Sequence, residues 1–179
     1  MKRTQTVTAA LILAAAAGLP WAQATDISQG VQTLDLSSGS AVLKHEFGAG
    51  NAGNTFHDRY DFTASAGQSL GAFVASLSMV DMGLGGAAFD SFRVFNSAGF
   101  SFDGTRQSAP DAVVEVWALS IPHLAADHYY LLVDGTVRND AAGNYVGSVA
   151  VSSVPEPSPV AMLFGGVGVL GWLARRRKA

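Results

Sequence analysis

The sequence predicts an all-β protein, a single β-sandwich (jelly-roll-like), with an N-terminal signal helix before it and a single C-terminal transmembrane helix after it. Three observations carry this. Between the two ends, apolar side chains recur at alternate positions rather than at the 3.6-residue spacing of a helix face. Clusters of Gly, Ser, Asn and Asp interrupt these runs roughly every eight to twelve residues, the spacing of short strands in a sandwich. Each end of the 179-residue chain carries an apolar run with cations on its outer flank.

Residues 1–24 are read as a secretory signal. Lys2 and Arg3 form the charged start, Ala9 to Gly18 the apolar core, and Ala22-Gln23-Ala24 the small-x-small site cut by a signal peptidase after Ala24. The apolar core is too short for a stable span and precedes a cleavage site rather than a basic stop.

Residues 25–153 suffice for one domain. Of 11 basic and 14 acidic residues, six basic and one acidic lie in the end segments, which leaves 5 against 13 and a formal charge of −8. Such a domain repels nucleic acid and anionic lipid, and suits solubility, a divalent cation or a cationic partner. Cysteine is absent, which excludes disulfides and thiol chemistry. The core must therefore hold by burial alone.

Val31 to Leu36 and Ala41 to Phe47 read as short strands separated by the turn Ser37 to Ser40. After a small-residue loop, Gly48 to Asn54, the run Thr55 to Thr63 alternates most cleanly. It places Phe56, Asp58, Tyr60 and Phe62 on the core side and His57, Arg59 and Asp61 on the other. An unpaired buried carboxylate is costly, so Asp58 is expected to be hydrogen-bonded by loop amides or a hydroxyl, in a structural role. Ser69 to Val80 fits one long or two short strands. Phe89 to Phe95 is expected to set Phe89, Ser91, Arg93 and Phe95 opposite Asp90, Phe92 and Val94. Asn96 to Gly99 reads as a hairpin connection to Phe100 to Phe102, and Asp103-Gly104 as the next turn. Val113 to Leu119 and Tyr129 to Val133, the most apolar strands, are candidates for the sheet centre. Leu124 to Asp127 allows a single helical turn, Asp134-Gly135 a turn, and Tyr145 to Val151 closes the domain.

Residues 154–179 form the third segment. The motif Val154-Pro155-Glu156-Pro157-Ser158 precedes an uncharged apolar helix over residues 159–174 and a basic tail over residues 175–179, with Arg175, Arg176, Arg177 and Lys178 as the stop. By the positive-inside rule these cations keep the C-terminus cytoplasmic and the domain outside. The run covers about 24 Å, short of the roughly 30 Å hydrocarbon core, which describes a marginal, temporary span. This three-part order resembles the PEP-CTERM sorting signal of Gram-negative bacteria. The resemblance implies recognition by exosortase, a membrane transpeptidase-like enzyme, and cutting near the motif, with Glu156 as the side chain that is read.

A second resemblance lies within the domain. Phe56, Asp58, Tyr60 and Phe62 spell F-x-D-x-Y-x-F, which is similar to the motif of the FxDxF family of PEP-CTERM proteins. Leu124 to Gly135 looks like that family's L-x-A-G-x-Y-Y-L-x-V-x-G segment, with Asp127 where glycine is usual. Gly143 to Gly147 fits its closing G-x-Y-x-G strand. The same features resemble, more weakly, the pre-peptidase C-terminal domain, a jelly-roll sandwich appended to secreted proteases. Neither resemblance implies a catalytic site on these residues.

Enzyme motifs occur only as strings. Gly67-Gln68-Ser69-Leu70-Gly71 spells G-x-S-x-G, but a nucleophile elbow needs a helix to follow, and a strand-like run follows instead. Gly48 to Gly53 spells G-x-G-x-x-G, likewise without the helix that would hold a pyrophosphate. His45, His57, His123 and His128 lack metal-ligand spacing; His45 and His57 are expected as a surface pair facing solvent together. No cofactor is expected, although Asp103, Asp111, Asp127, Asp134 and Asp140 leave Ca²⁺ open. Trp117, Tyr129, Tyr130 and Tyr145 could form a sugar-stacking surface, but at alternate strand positions they fit core or edge packing.

The function read from the sequence is a non-catalytic structural or matrix-interaction protein. The second reading is a carbohydrate- or calcium-binding module, and the third a secreted hydrolase using Ser69. The expected partners are signal peptidase and the secretion machinery, an exosortase-type enzyme, the inner membrane and exopolysaccharide, with no nucleic acid. The expected location is a transient inner-membrane anchor, then the cell surface or extracellular matrix.

Overall fold

The computed structural model describes residues 23–153, Asp111 excepted. Ala22, the signal helix, the transmembrane helix, the motif Val154 to Pro157 and the stop Arg175 to Lys178 lie outside the described residues; Ala24 is described and exposed. The described strands are β1 (Gln32–Thr33), β2 (Ser40–Phe47), β3 (Thr55–Ala64), β4 (Gln68–Leu77), β5 (Ala87–Asn96), β6 (Ser101–Asp103), β7 (Thr105–Arg106), β8 (Val114–Leu124), β9 (Asp127–Val137) and β10 (Gly143–Ser153). They form two five-stranded sheets, A in the order β1-β3-β9-β5-β6 and B in the order β2-β10-β4-β8-β7. The pairs are antiparallel except β1 with β3. The chain crosses between sheets at most connections, staying within one only at β5–β6 and β7–β8.

Period-two alternation produces the core directly. On β3, Phe56, Asp58, Tyr60 and Phe62 are buried while His57, Arg59 and Thr63 are exposed. Leu70, Ala72 and Val74 of β4, Val149 of β10, and Leu131 and Val133 of β9 meet them between the sheets. Fully burying each such aliphatic or aromatic side chain contributes roughly 1.5–3 kcal/mol. Phe56 and Tyr145 stack at 5.5 Å, and Phe62 and Tyr129 at 5.7 Å.

The structure corrects several expectations. Val31 to Leu36 is not a full strand: only Gln32 and Thr33 pair, with Tyr60 and Asp61. On β5 the register shifts between Phe89 and Ser91. This bulge flips the pleat, so Phe89, Phe92 and Val94 are buried while Ser91, Arg93 and Phe95 face outward. β9 is the centre of sheet A as expected, but the centre of sheet B is β4; beyond β8 lies only the two-residue β7.

Turn signals also misled at three places. Leu124 to Asp127 holds no helical turn, because β8 and β9 are joined by Ala125 and Ala126 alone. Asp127 fixes that turn with its carboxylate, accepting from His128 N–H at 2.7 Å and Ser97 Oγ at 2.9 Å. Asp134-Gly135 lies inside β9, where a Cβ on Gly135 would overlap the Ala88 carbonyl and the Phe56 ring. Asp103-Gly104 is not a turn: Asp103 ends β6, and Gly104 crosses from sheet A to sheet B, its N–H donating to the Phe92 carbonyl at 2.7 Å.

Candidate functional site

Asp58 is held between the sheets by donors from three separate segments. It is fully buried, and its Oδ1 accepts the Gln29 backbone N–H at 2.9 Å. Oδ2 lies 2.6 Å from His45 Nδ1 and accepts the Tyr145 hydroxyl at 2.5 Å. Tyr60 Oη stands 2.8 Å from Tyr145 Oη, and Gln29 Nε2 reaches both Tyr60 Oη (2.6 Å) and the Lys44 carbonyl (2.9 Å). One proton assignment satisfies the chain: Gln29 donates to Tyr60, Tyr60 to Tyr145, and Tyr145 to Asp58. The loop amide and hydroxyl expected for Asp58 are both present. The network ties β3 of sheet A to β2 and β10 of sheet B.

Its two phenols keep their protons at neutral pH. Burial, with the Asp58 charge adding to it, pushes Tyr60 up to about 12 against its hydrogen bonds with Tyr145, the Lys44 carbonyl and Gln29. Burial and the neighbouring charges of Tyr60 and Asp58 hold Tyr145 higher still. Both phenols stay protonated as donors. His45 is enclosed, its side chain 11% exposed, while His57 projects from the other side of β3 onto Asp134. The expected solvent-facing histidine pair is therefore absent, because β2 and β3 belong to opposite sheets.

A second buried carboxylate, Glu115, escaped the sequence reading. Among apolar neighbours on β8 it is 1% exposed, and it binds Arg106 and Arg138. It also accepts from Trp117 Nε1 at 3.0 Å and Phe89 N–H at 3.3 Å. Burial acts to raise its pKa, but hydrogen bonds from Trp117, Arg106 and Arg138 and the Arg106 charge outweigh it, leaving the carboxyl below its ordinary range. Its only sequence signal is a charge at a core-facing position of an apolar strand.

The outer face of sheet A carries most of the exposed functional groups. A cleft of about 560 Å³ is lined by Thr33, Arg59, Thr63, Asn96, His128 and Tyr130, over the edges of Phe62 and Tyr129. The Tyr130 ring lies beneath the Arg59 guanidinium, 4.1 Å from its centroid, and stacks with Phe95 at 5.0 Å and 8°. Asp61 holds Arg59 at 2.6 Å. Both faces of Tyr130 are thus covered, and a ligand in the cleft meets hydroxyl, amide and imidazole groups rather than an open ring. Tyr129 and Tyr145 are core residues, and Trp117 is half-buried on Glu115.

Ser91, Asp134 and His57 also meet on this face, but in the wrong order for nucleophilic catalysis. Asp134 sits between the other two, binding Ser91 Oγ through Oδ2 and His57 Nδ1 through Oδ1 at 3.0 Å. A serine nucleophile must instead bond to the histidine. Ser69 lies inside β4 with its Oγ 2.8 Å from Ser152 Oγ, so G-x-S-x-G here is strand, not elbow. The Gly48–Gly53 loop leads into β3, not a helix. Among the described residues no group of three or more His, Cys, Asp or Glu side chains could hold a metal ion. Asp127 serves Ser97, Asp134 serves His57 and Ser91, and Asp140 accepts the Ala52 N–H at 3.1 Å.

Comparison with known proteins adds the following. No curated protein matches the chain. The fold is similar to PliG, a periplasmic inhibitor of g-type lysozyme. The Escherichia coli mutant is 18% identical at TM-score 0.37, and the Aeromonas hydrophila protein 19% identical at TM-score 0.38, each over 72% of this chain and 100% of that one. It is also similar, more distantly, to the pre-peptidase C-terminal domain of a Bacillus anthracis collagenase, at 14% identity and TM-score 0.34 over 73% of this chain and 95% of that one. These likenesses bear on neither ligand nor partner. The PEP-CTERM protein-sorting motif matches residues 153–178, and with it the chain is marked as an exported protein whose C-terminal region directs exosortase-mediated sorting.

Proposed function

We propose that this protein is an exported, non-catalytic passenger that exosortase processes near Pro155–Pro157 for display at the cell surface or in extracellular polysaccharide. The carrying observation is the sorting motif at residues 153–178, which begins where the last strand ends. In this reading residues 1–24 are removed by signal peptidase, residues 25–153 are the displayed domain, and residues 154–179 are the tail. The cations Arg175 to Lys178 pause the chain in the inner membrane. Pro155 and Pro157 bias the residues before them toward extended backbone that an enzyme can grip. The intact mass of the mature protein tests this: a chain ending near Pro155 to Ser158 is expected, and one still ending at Ala179 refutes processing.

The carbohydrate-binding alternative is supported by the cleft on sheet A, whose size suits a small saccharide held by hydrogen bonds. Binding on a glycan array, lost on Asn96→Ala, supports it; binding unchanged in that variant removes the cleft from consideration.

A further inference from the structure

The two outer faces of the sandwich differ sharply. Sheet A presents Arg59, Asp61, Arg93 and Asp134 across its three long strands. On sheet B, the outward positions of β2, β10, β4 and β8 present Val42, Val146, Phe73, Leu77 and Val114, which are 69%, 49%, 46%, 41% and 46% exposed. Between them lie Gly71, Ala75, Val116, Ala118, Ser148 and Ala150. The only charges at these positions are Lys44 and Glu46, on the edge strand and 3.9 Å from each other. The face is therefore neutral, while the domain it belongs to carries −8. Five large apolar side chains on one flat surface exceed the scattered exposure of a soluble monomer.

We propose that the outer face of sheet B is a self-association surface that packs against the same face of a second copy. Charge selects this occupant. Two copies of so acidic a domain repel through most of their surface, and this neutral face is where they can meet at the least such cost. A cationic partner would be drawn to the acidic remainder instead. Shape agrees, because the paired register sets Phe73 beside Ser148 and Ala118, and Val146 beside Ala75. Phe73 thus protrudes among shallow positions, while Val146 also adjoins Lys44 and Leu77 stands beside Val114, a relief that a second copy related by a two-fold axis can match.

Area sets the strength. Four strands about 4.8 Å apart and eight residues long cover roughly 500 Å² per copy, or about 1,000 Å² in all, the lower bound of a specific interface. Such a pair is weak in dilute solution. Copies held in one membrane by the tail, as proposed above, share an orientation and a raised effective concentration. The pairing itself needs only the face.

The chain has no cysteine, so single cysteines report contacts cleanly. Full-length Phe73→Cys and Val146→Cys, with Thr63→Cys on sheet A as control, are treated with a short bis-maleimide in isolated membranes. Expected are products of twice the chain mass for the two sheet B variants and not for the control. Adding Ala75→Lys to Val146→Cys is expected to lower the yield about tenfold by burying an unpaired charge, with the strand circular dichroism unchanged. Sheet B variants that stay monomeric, that cross-link to a product of another mass, or that give no more dimer than Thr63→Cys overturn the pairing. Should the protein fractionate outside the membrane, the tail reading fails by itself, and the same cross-linking in concentrated solution decides the pairing.

Discussion

Asp58→Ala removes the acceptor of three donors at once: the Tyr145 hydroxyl, His45 Nδ1 and the Gln29 backbone N–H. Tyr145 is fully buried and His45 nearly so, and neither can turn to water without opening the sandwich. An orphaned buried donor costs about 1–3 kcal/mol, while removing the carboxylate relieves its own desolvation. The Gln29 amide is only half-buried and can recover a water. The net expectation is a loss of roughly 3–4 kcal/mol, or about 10–15 °C in Tm for a domain of this size. Urea unfolding of the purified protein measures it, provided the m-value is unchanged. Asp61→Ala, three residues along the same strand, breaks only the half-exposed pair with Arg59 and is expected to stay within about 0.5 kcal/mol. A loss below about 1 kcal/mol for Asp58→Ala, or equal losses for the two variants, would refute the claim that the network locks the sheets together.

Glu115 makes stability sensitive to acid. Its native pKa lies below its unfolded value, so its contribution is complete above the unfolded carboxyl range and is lost as pH falls through the native value. The denaturation midpoint is expected to drop below about pH 4, and Glu115→Gln to flatten that drop while lowering stability at neutral pH. Gly135→Ala forces a methyl against the Ala88 carbonyl and Phe56 ring and is expected to cost roughly 1–3 kcal/mol or more. Gly71→Ala, where a Cβ meets nothing within 4 Å, is expected to be neutral or slightly stabilising in the same thermal melt.

Which features the sequence disclosed follows from the physics of each. Alternation is a local signal, so β3, β4 and β10 were legible, together with the buried carboxylate of Asp58. Its partners were not, because His45, Tyr145 and Gln29 converge from three segments through tertiary packing. The β5 bulge inserts one residue into a regular pattern, and periodicity has no means of registering it. Asp-Gly at 134–135 reads as a turn by composition, yet that glycine answers a close approach of Ala88 and Phe56 that exists only in the folded sheet. Arg106 and Arg138, from outside β8, neutralise Glu115, so its burial is not legible from β8 alone. The sorting tail is the opposite case, a contiguous signal read as a string by its recognising machinery.

The junction between domain and tail follows from the same packing. β10 lies inside sheet B with β2 on one side and β4 on the other, and its pairing persists to Ser153 opposite Gln68. Val154 is the next residue, and the proline-bracketed signal begins there with no spacer. Processing at the proposed site would therefore act within a few residues of a strand whose last three residues pair with β4 alone. Pro155 and Pro157 lack the N–H that ladder pairing would use. Cutting at that motif, as proposed, would then break no hydrogen bond of the described strands. The domain gains no freedom to unfold from losing its anchor, and its stability before and after processing should be the same.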